Sequence, residues 1–190
     1  MSVQRSDILD YETYGDARPE IRARVLQTKA LRRIPVADVL TFLFENHETI
    51  RYQILEMVRT ERIVREADIV HEIRTYNELL GGPGELGCTL LICIDDPAER
   101  DVKLRAWLDL LGRLYVKVEG GERIRATWDP RQVGDDRLSS VQYLKFPLGA
   151  RAPVAVGVDH PELTAETELS AEQRAALVAD LAEAAAASAS

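Results

Sequence analysis

The stretch Leu40–Arg62 constrains the fold more than any other part of the chain. Its first residues continue a strand pattern, Val36–Phe44, that is apolar on both sides, as is typical of a central strand. A polar break follows, in which Asn46 is a candidate N-cap. A helix is then predicted over residues 47–62, and its apolar residues recur at helical spacing: Ile50, Ile54, Met57 and Val58. A buried strand therefore leads directly into an amphipathic helix.

The remaining pattern predicts an α+β fold. A second helix at about 66–80 forms a helical hairpin with the first, and further helices are expected at about 19–34, 95–111 and 171–184. Strands are expected at 88–94, 114–118, 123–128, 140–146 and 154–158, with Gly120-Gly121 as a hairpin signal. Together with residues 36–44, these make a mostly antiparallel sheet of about six strands, on which the helical hairpin and the other helices pack.

The two ends of the chain and its core can also be predicted. A helical turn near residues 8–14 is expected to end at Gly15, and a new helix to begin at Pro19. Residues 1–182 are expected to form a single domain, followed by a disordered Ala/Ser tail at 183–190. The apolar pattern predicts that seven large side chains are buried: Phe42, Phe44, Ile54, Met57, Ile92, Trp107 and Val156.

Composition excludes several classes of function. The net charge of -8 argues against general binding of nucleic acid, although Arg and Lys are concentrated between Arg18 and Arg33. No apolar run is long enough to cross a membrane, and the opening residues lack the apolar core of a signal peptide. The two cysteines, Cys88 and Cys93, are expected to be buried and to point to opposite faces of a strand. A cytoplasmic location is therefore expected.

Motifs for catalysis and metal binding are sparse. Asp68 and His71 lie one helical turn apart, a spacing that metals can use, and His160 follows Asp159 just beyond a strand. A metal-binding protein or a metal-dependent enzyme could use Asp68, His71 and His160, with Glu56 or Asp159 completing the set. The alternatives are a surface Asp-His pair on a helix and a structural turn at the strand exit. No nucleophile motif or phosphate loop is present, and no cofactor is evident.

A stripe of polar residues at the strand–helix junction is the strongest candidate for a binding site. It comprises Glu45, Asn46, Gln53, Glu56, Arg59 and Arg62. Recognition of a partner and a solvated helix face with internal ion pairs both fit this pattern. Asp159 and His160 would join the stripe if the last strand lay beside the strand that ends at Phe44.

Several segments resemble a bacterial family known as domain of unknown function 3501. They are FENHETIRYQILEMVRTER at 44–62, SSVQYLKFPL at 139–148 and VAVGVDHPEL at 154–163, together with DILDYETY and ARVLQTKALRR near the start. The family pattern has a basic residue, usually Arg, where this chain has His47. Members look to be encoded beside rubrerythrin-like proteins and iron–sulfur subunits of heterodisulfide-reductase type.

The resemblance implies a link to peroxide or electron-transfer chemistry. It does not supply an activity. Because two separated cysteines cannot hold an iron–sulfur cluster, which usually needs four thiolates, the chain is not expected to carry electrons by itself. We therefore expect a non-catalytic accessory protein that docks onto an iron–sulfur or rubrerythrin-like partner. Metal binding is the alternative.

Overall fold

The computed structural model describes residues 2–187. In chain order, the elements are α1 (Tyr11–Ala30), β1 (Arg33–Val36), β2 (Leu40–Glu45), α2 (His47–Thr60), α3 (Glu66–Asn77), β3 (Glu85–Ile92), α4 (Pro97–Ala106), β4 (Leu114–Val118), β5 (Arg123–Arg125), β6 (Val141–Pro147), β7 (Pro153–His160), β8 (Leu163–Glu168) and α5 (Ala171–Ala187). Short 3-10 helices lie at Arg5–Asp7, Leu110–Arg113 and Pro130–Gln132.

The fold is α+β, as predicted, but it has two antiparallel sheets of four strands rather than one sheet of about six. The strand order is β1-β2-β3-β6 in one sheet and β5-β4-β7-β8 in the other. Their inner faces share one hydrophobic core. The edges of the sheets adjoin, β1 against β8 and β5 against β6.

Two strands account for the difference in number. The expected strand at 36–44 is a hairpin of β1 and β2, whose turn contains Ala37 at a φ of 51°. Pro35 lies within β1 and is tolerated there because β1 is an edge strand. The second addition, β8, has the polar sequence LTAETE, in which alternate residues are half-buried against β7. Neither strand has the apolar run that marks a buried one.

The first helix also differs from its prediction. Instead of breaking at Gly15 and restarting at Pro19, α1 is continuous from Tyr11 to Ala30. An interior proline costs about 3 kcal/mol. Burial of Tyr14, Ile21 and Val25 offsets this cost, because these side chains belong to a buried cluster in which α1 packs against α2.

Six of the seven predicted core residues are buried: Phe42, Phe44, Ile54, Ile92, Trp107 and Val156. Met57 was predicted to be buried but is only half-buried. Cys88 is buried and Cys93 is exposed, so the expectation for Cys93 was wrong. Helix α5 reaches Ala187 and so overlaps the predicted tail at 183–190, whose last three residues lie outside the described part of the chain.

The buried residues form two separate clusters. The larger lies between the two sheets and includes one side of α5. The smaller lies among the N-terminal segment, α1, α2 and α3. Within residues 2–187, no helix combines the length and apolar character that crossing a bilayer requires.

Candidate functional site

The strand–helix junction is built by local hydrogen bonds. Asn46 caps α2. Its side-chain oxygen accepts from the Thr49 backbone amide at 3.0 Å, and its backbone amide donates to the Thr49 hydroxyl at 3.0 Å. The Glu45 carboxylate accepts from the hydroxyls of Thr49 at 2.5 Å and Thr89 at 2.7 Å. Two of the predicted binding residues thus fix the path of the chain from β2 into α2.

A buried ion pair lies behind this junction. Arg32 and Asp180 form two hydrogen bonds of 2.8 Å, and their side chains are only 9% and 8% exposed. The side-chain amide of Asn46 also donates to the Asp180 carboxylate at 3.3 Å. This pair joins the end of α1 to α5, although Arg32 and Asp180 lie far apart in the sequence.

The cleft at the junction is small and acidic. Its lining includes Glu45, Asn46, His47, Glu85, Asp180 and Glu183. Its volume is about 20 Å³, enough for roughly one water molecule. Within residues 2–187, no group of three or more His, Cys, Asp or Glu side chains could hold a metal ion. The cleft is therefore too small for an organic ligand.

Glu56, in the middle of the polar stripe, binds two side chains of α1. Glu56 accepts from Arg18 Nε at 2.7 Å and Nη2 at 3.0 Å, and from the Tyr14 hydroxyl at 2.5 Å. The hydrogen bond from Arg18 lowers the pKa of Glu56, although partial burial opposes this. Burial, followed by the hydrogen bond to Glu56, raises the pKa of Tyr14. These contacts hold α1 against α2.

The other end of the stripe is exposed. Gln53, Arg59 and Arg62 all project from the surface, and Arg59 and Arg62 line an open depression together with Tyr11 and Thr60. Among the described residues, neither arginine forms an ion pair. We call Tyr11, Arg59, Thr60 and Arg62 the basic patch.

Arg62 has an unusual backbone for its residue type. Its φ is 49°, in the left-handed region that favours glycine. The Ile63 amide donates to the Val58 carbonyl at 2.9 Å and the Arg62 amide to the Arg59 carbonyl at 3.3 Å, which is the Schellman pattern that ends a helix. An arginine therefore occupies the position where glycine is usual.

Asp159 and His160 do not join the stripe, because they make contacts within the second sheet. Asp159 accepts from Arg125 at 2.6 and 2.8 Å and from Arg123 at 3.4 Å. The hydrogen bond from Arg125 lowers the pKa of Asp159. Asp159 thus ties β7 to β5, two strands that flank β4 on either side.

His160 is buried and both of its ring nitrogens are engaged. The Glu162 amide donates to Nδ1 at 3.2 Å, so Nε2 carries the proton and donates to Asp109 at 3.1 Å. The ring also meets Trp107 edge-on. A neutral imidazole has one lone pair, and here the Glu162 amide takes it.

The remaining metal candidates, Asp68 and His71, are exposed on α3. The described part of the chain does not bring them together with His160 in a metal-binding group. His47, at the start of α2, contacts Asp7 at 3.3 Å.

Sequence reasoning missed several residues of this region. Tyr11 and Thr60 join the basic patch, and Tyr14, Arg18, Arg32 and Asp180 supply the partners of the stripe. The one signal in the sequence was the concentration of Arg and Lys between Arg18 and Arg33, which indicated a charged helix but not its partners.

The fold and this site define a class of small α+β protein, with two antiparallel sheets and a helical layer that presents an exposed basic patch. The chain belongs to the family of proteins of unknown function DUF3501, whose profile matches residues 2–181. It is similar to a protein of unknown function from Burkholderia pseudomallei K96243, known from a crystal structure, with 28% identity and a TM-score of 0.87. That match covers 95% of this chain and 100% of the other. No functionally curated protein matches the chain.

Proposed function

We propose that this chain is a non-catalytic accessory protein that docks onto a redox partner through the basic patch. The observation that carries the proposal is Arg62, whose left-handed backbone costs stability that glycine would not cost. Strained residues tend to occur at functional sites, where the side chain has a role that outweighs the strain. The exposed guanidinium of Arg62 supplies such a role if it contacts a partner.

The charge distribution favours an acidic partner surface. The chain carries a net charge of -8, and most of its arginines are paired with carboxylates, as Arg18 is with Glu56. Arg59 and Arg62 form no salt bridge within the described chain, although the charge of Arg59 helps to lower the pKa of Glu56. Complementary charge at an interface raises the association rate and selects the partner.

The class of partner comes from the resemblance described above, which implies iron–sulfur or rubrerythrin-like proteins. The positions of the two cysteines support a model in which the partner, and not this chain, carries the electrons. Cys88 is buried and Cys93 is exposed, so the two thiols do not share one site. An iron–sulfur cluster usually needs four thiolates.

The test is co-purification from the native host, followed by binding measurements with the redox protein recovered. An Arg59→Ala/Arg62→Ala variant should bind it at least tenfold more weakly, and raising the salt concentration should slow association of the wild type. The matched control is Arg22→Ala/Arg74→Ala, which removes the same charge from two exposed arginines on α1 and α3 and should bind normally. Glu56 is left unchanged, because its loss would disturb the packing of α1.

Two outcomes contradict the proposal. One is that no redox protein co-purifies with the wild-type chain. The other is that the basic-patch variant and the control variant bind equally well, since the general charge of the chain would then account for the interaction.

A further inference from the structure

The outer edge of β6 is closed partly by a side chain. The inner edge of β6 pairs with β3 along its whole length. On the outer edge, Lys145 forms two backbone hydrogen bonds of 2.8 Å with Thr127, in an antiparallel bridge. Two residues from Lys145 along β6, the backbone of Tyr143 is bonded by the side-chain amide of Gln132 instead of a strand. Gln132 Nε2 donates to the Tyr143 carbonyl and Oε1 accepts from the Tyr143 backbone amide, both at 2.8 Å.

The side chain of Gln132 lies where a strand that continued from β5 would pair with Tyr143. Because Thr127 pairs with Lys145, an antiparallel strand that continued from β5 would pair Asp129 with Tyr143. Instead, Asp129 caps the 3-10 helix Pro130–Gln132 by accepting from the Arg131 amide at 2.9 Å. The chain therefore turns away from the edge. A primary amide offers the same donor and acceptor as a peptide group, so Gln132 satisfies Tyr143 in place of the missing strand.

A cleft of about 560 Å³ opens beside this edge, within the usual size range of ligand pockets. Its lining contains both the edge residues and aromatic and aliphatic side chains: Glu78, Leu79, Thr127, Trp128, Asp129, Gln132, Tyr143, Leu144 and Lys145. Tyr143 is 47% exposed, and Val141, the next outward-facing residue of β6, is also exposed. An apolar surface thus lies next to backbone groups that a side chain covers.

We infer that this edge binds an extended peptide segment of a partner protein. The peptide displaces Gln132, pairs with Tyr143 as the continuation of β5 and places a large apolar side chain in the cleft. Backbone pairing provides the affinity in this mode of recognition, and pockets for alternate side chains provide the specificity. The bridge between Thr127 and Lys145 supports an extended occupant, because it is a strand pairing already formed at this edge.

The length of the open edge limits the occupant. Thr127 closes it at Lys145, so the peptide pairs with Tyr143, where it displaces Gln132, and with Val141, whose amide it takes from the Ser139 hydroxyl at 3.2 Å. This pairing covers about four residues or roughly 13 Å. A second folded copy fits less well, since its own β6 edge carries the same 129–132 turn and the two turns would meet in a symmetric dimer. A flexible segment can enter beside a single turn.

The probe is a phage-displayed library of random seven-residue peptides, selected separately on the wild-type protein and on Gln132→Ala. An enriched peptide is then synthesised and its affinity measured by fluorescence anisotropy. Gln132→Ala should bind it about tenfold more tightly than the wild type, because the peptide no longer competes with the two hydrogen bonds of the Gln132 side chain. Gln132→Glu should bind with intermediate affinity, since a carboxylate accepts from the Tyr143 amide but cannot donate to its carbonyl.

Two further measurements locate the peptide. Tyr143→Ala removes the ring from the cleft, keeps the backbone and should weaken binding at least fivefold, whereas Val178→Ala, at an exposed apolar residue of α5, should not change it. Hydrogen exchange at the Tyr143 amide should be fast in Gln132→Ala and slow once the peptide binds.

The inference is overturned if neither selection enriches a peptide, or if Gln132→Ala binds the peptide no more tightly than the wild type. It is also overturned if the Tyr143 amide still exchanges rapidly in the complex. Dimerisation of Gln132→Ala in sedimentation without peptide would replace the partner peptide with a second copy as the occupant. Melting temperatures of all the variants establish that each one is folded.

Discussion

Replacing Arg62 with glycine should make the protein more stable. A left-handed backbone costs an ordinary residue about 1–2 kcal/mol. Glycine avoids that cost but loses about 0.5–1 kcal/mol more backbone entropy on folding. At the observed φ of 49°, with both Schellman hydrogen bonds in place, the midpoints of the two ranges predict a net gain of about 0.75 kcal/mol. Removing the Arg62 side chain costs little stability, because it is exposed and forms no salt bridge within the described chain.

Urea unfolding followed by circular dichroism measures this change. The Arg62→Gly midpoint should rise while the slope stays constant, which indicates a change in stability alone. Arg62→Ala keeps the left-handed strain and should differ little from the wild type. Arg59→Gly places glycine inside the last turn of α2 and should lose about 1 kcal/mol. The reasoning is refuted if Arg62→Gly is no more stable than Arg62→Ala.

Three other changes test the packing and the ion pairs by the same unfolding assay. Phe44→Ala should lose about 3–5 kcal/mol, because Phe44 is fully buried, and a loss below about 1 kcal/mol would contradict its core position. Asp180→Ala should lose about 3–5 kcal/mol by leaving Arg32 buried and unpaired, and Arg32→Met/Asp180→Leu should recover most of this loss. The lowered pKa of Glu56 means that its ionised form stabilises the fold above its ordinary pKa of 4.5, and that this contribution is lost as the pH falls through the lower folded value. Glu56→Gln should therefore reduce the fall in stability between about pH 6 and pH 3, and an unchanged fall would assign it to other carboxylates.

Local signals in the sequence predicted the elements that local contacts build. The start of α2 was predictable because Asn46 and Thr49 form its capping box with each other. Tertiary contacts decide the elements that were mispredicted. Helix α1 continues through Pro19 because the side chains around it are buried in the cluster that α1 forms with α2. The turn between β1 and β2 lacks the glycine or asparagine that would mark it, since Ala37 takes the positive φ.

The polar stripe was visible in the sequence, but its division into internal and exposed parts was not. Helical spacing places Glu56 and Arg59 on neighbouring parts of one surface without indicating which of them another element covers. Glu56 is covered because Arg18 reaches it from α1, far away in the sequence. The same limit applies to Asp159, whose partner Arg125 comes from a strand that is not adjacent in the sheet.

The separation of the buried residues into two clusters has a consequence for motion. The cluster among α1, α2 and α3 is smaller and shares no residue with the one between the sheets. Such units can open at different free energies, so the helical layer can undergo sub-global unfolding while the sheets stay intact. The buried pair of Arg32 and Asp180 resists this opening, since it links α1 to α5. A partner that bound the end of α2 would slow amide exchange in the helical layer and leave exchange in the sheets almost unchanged.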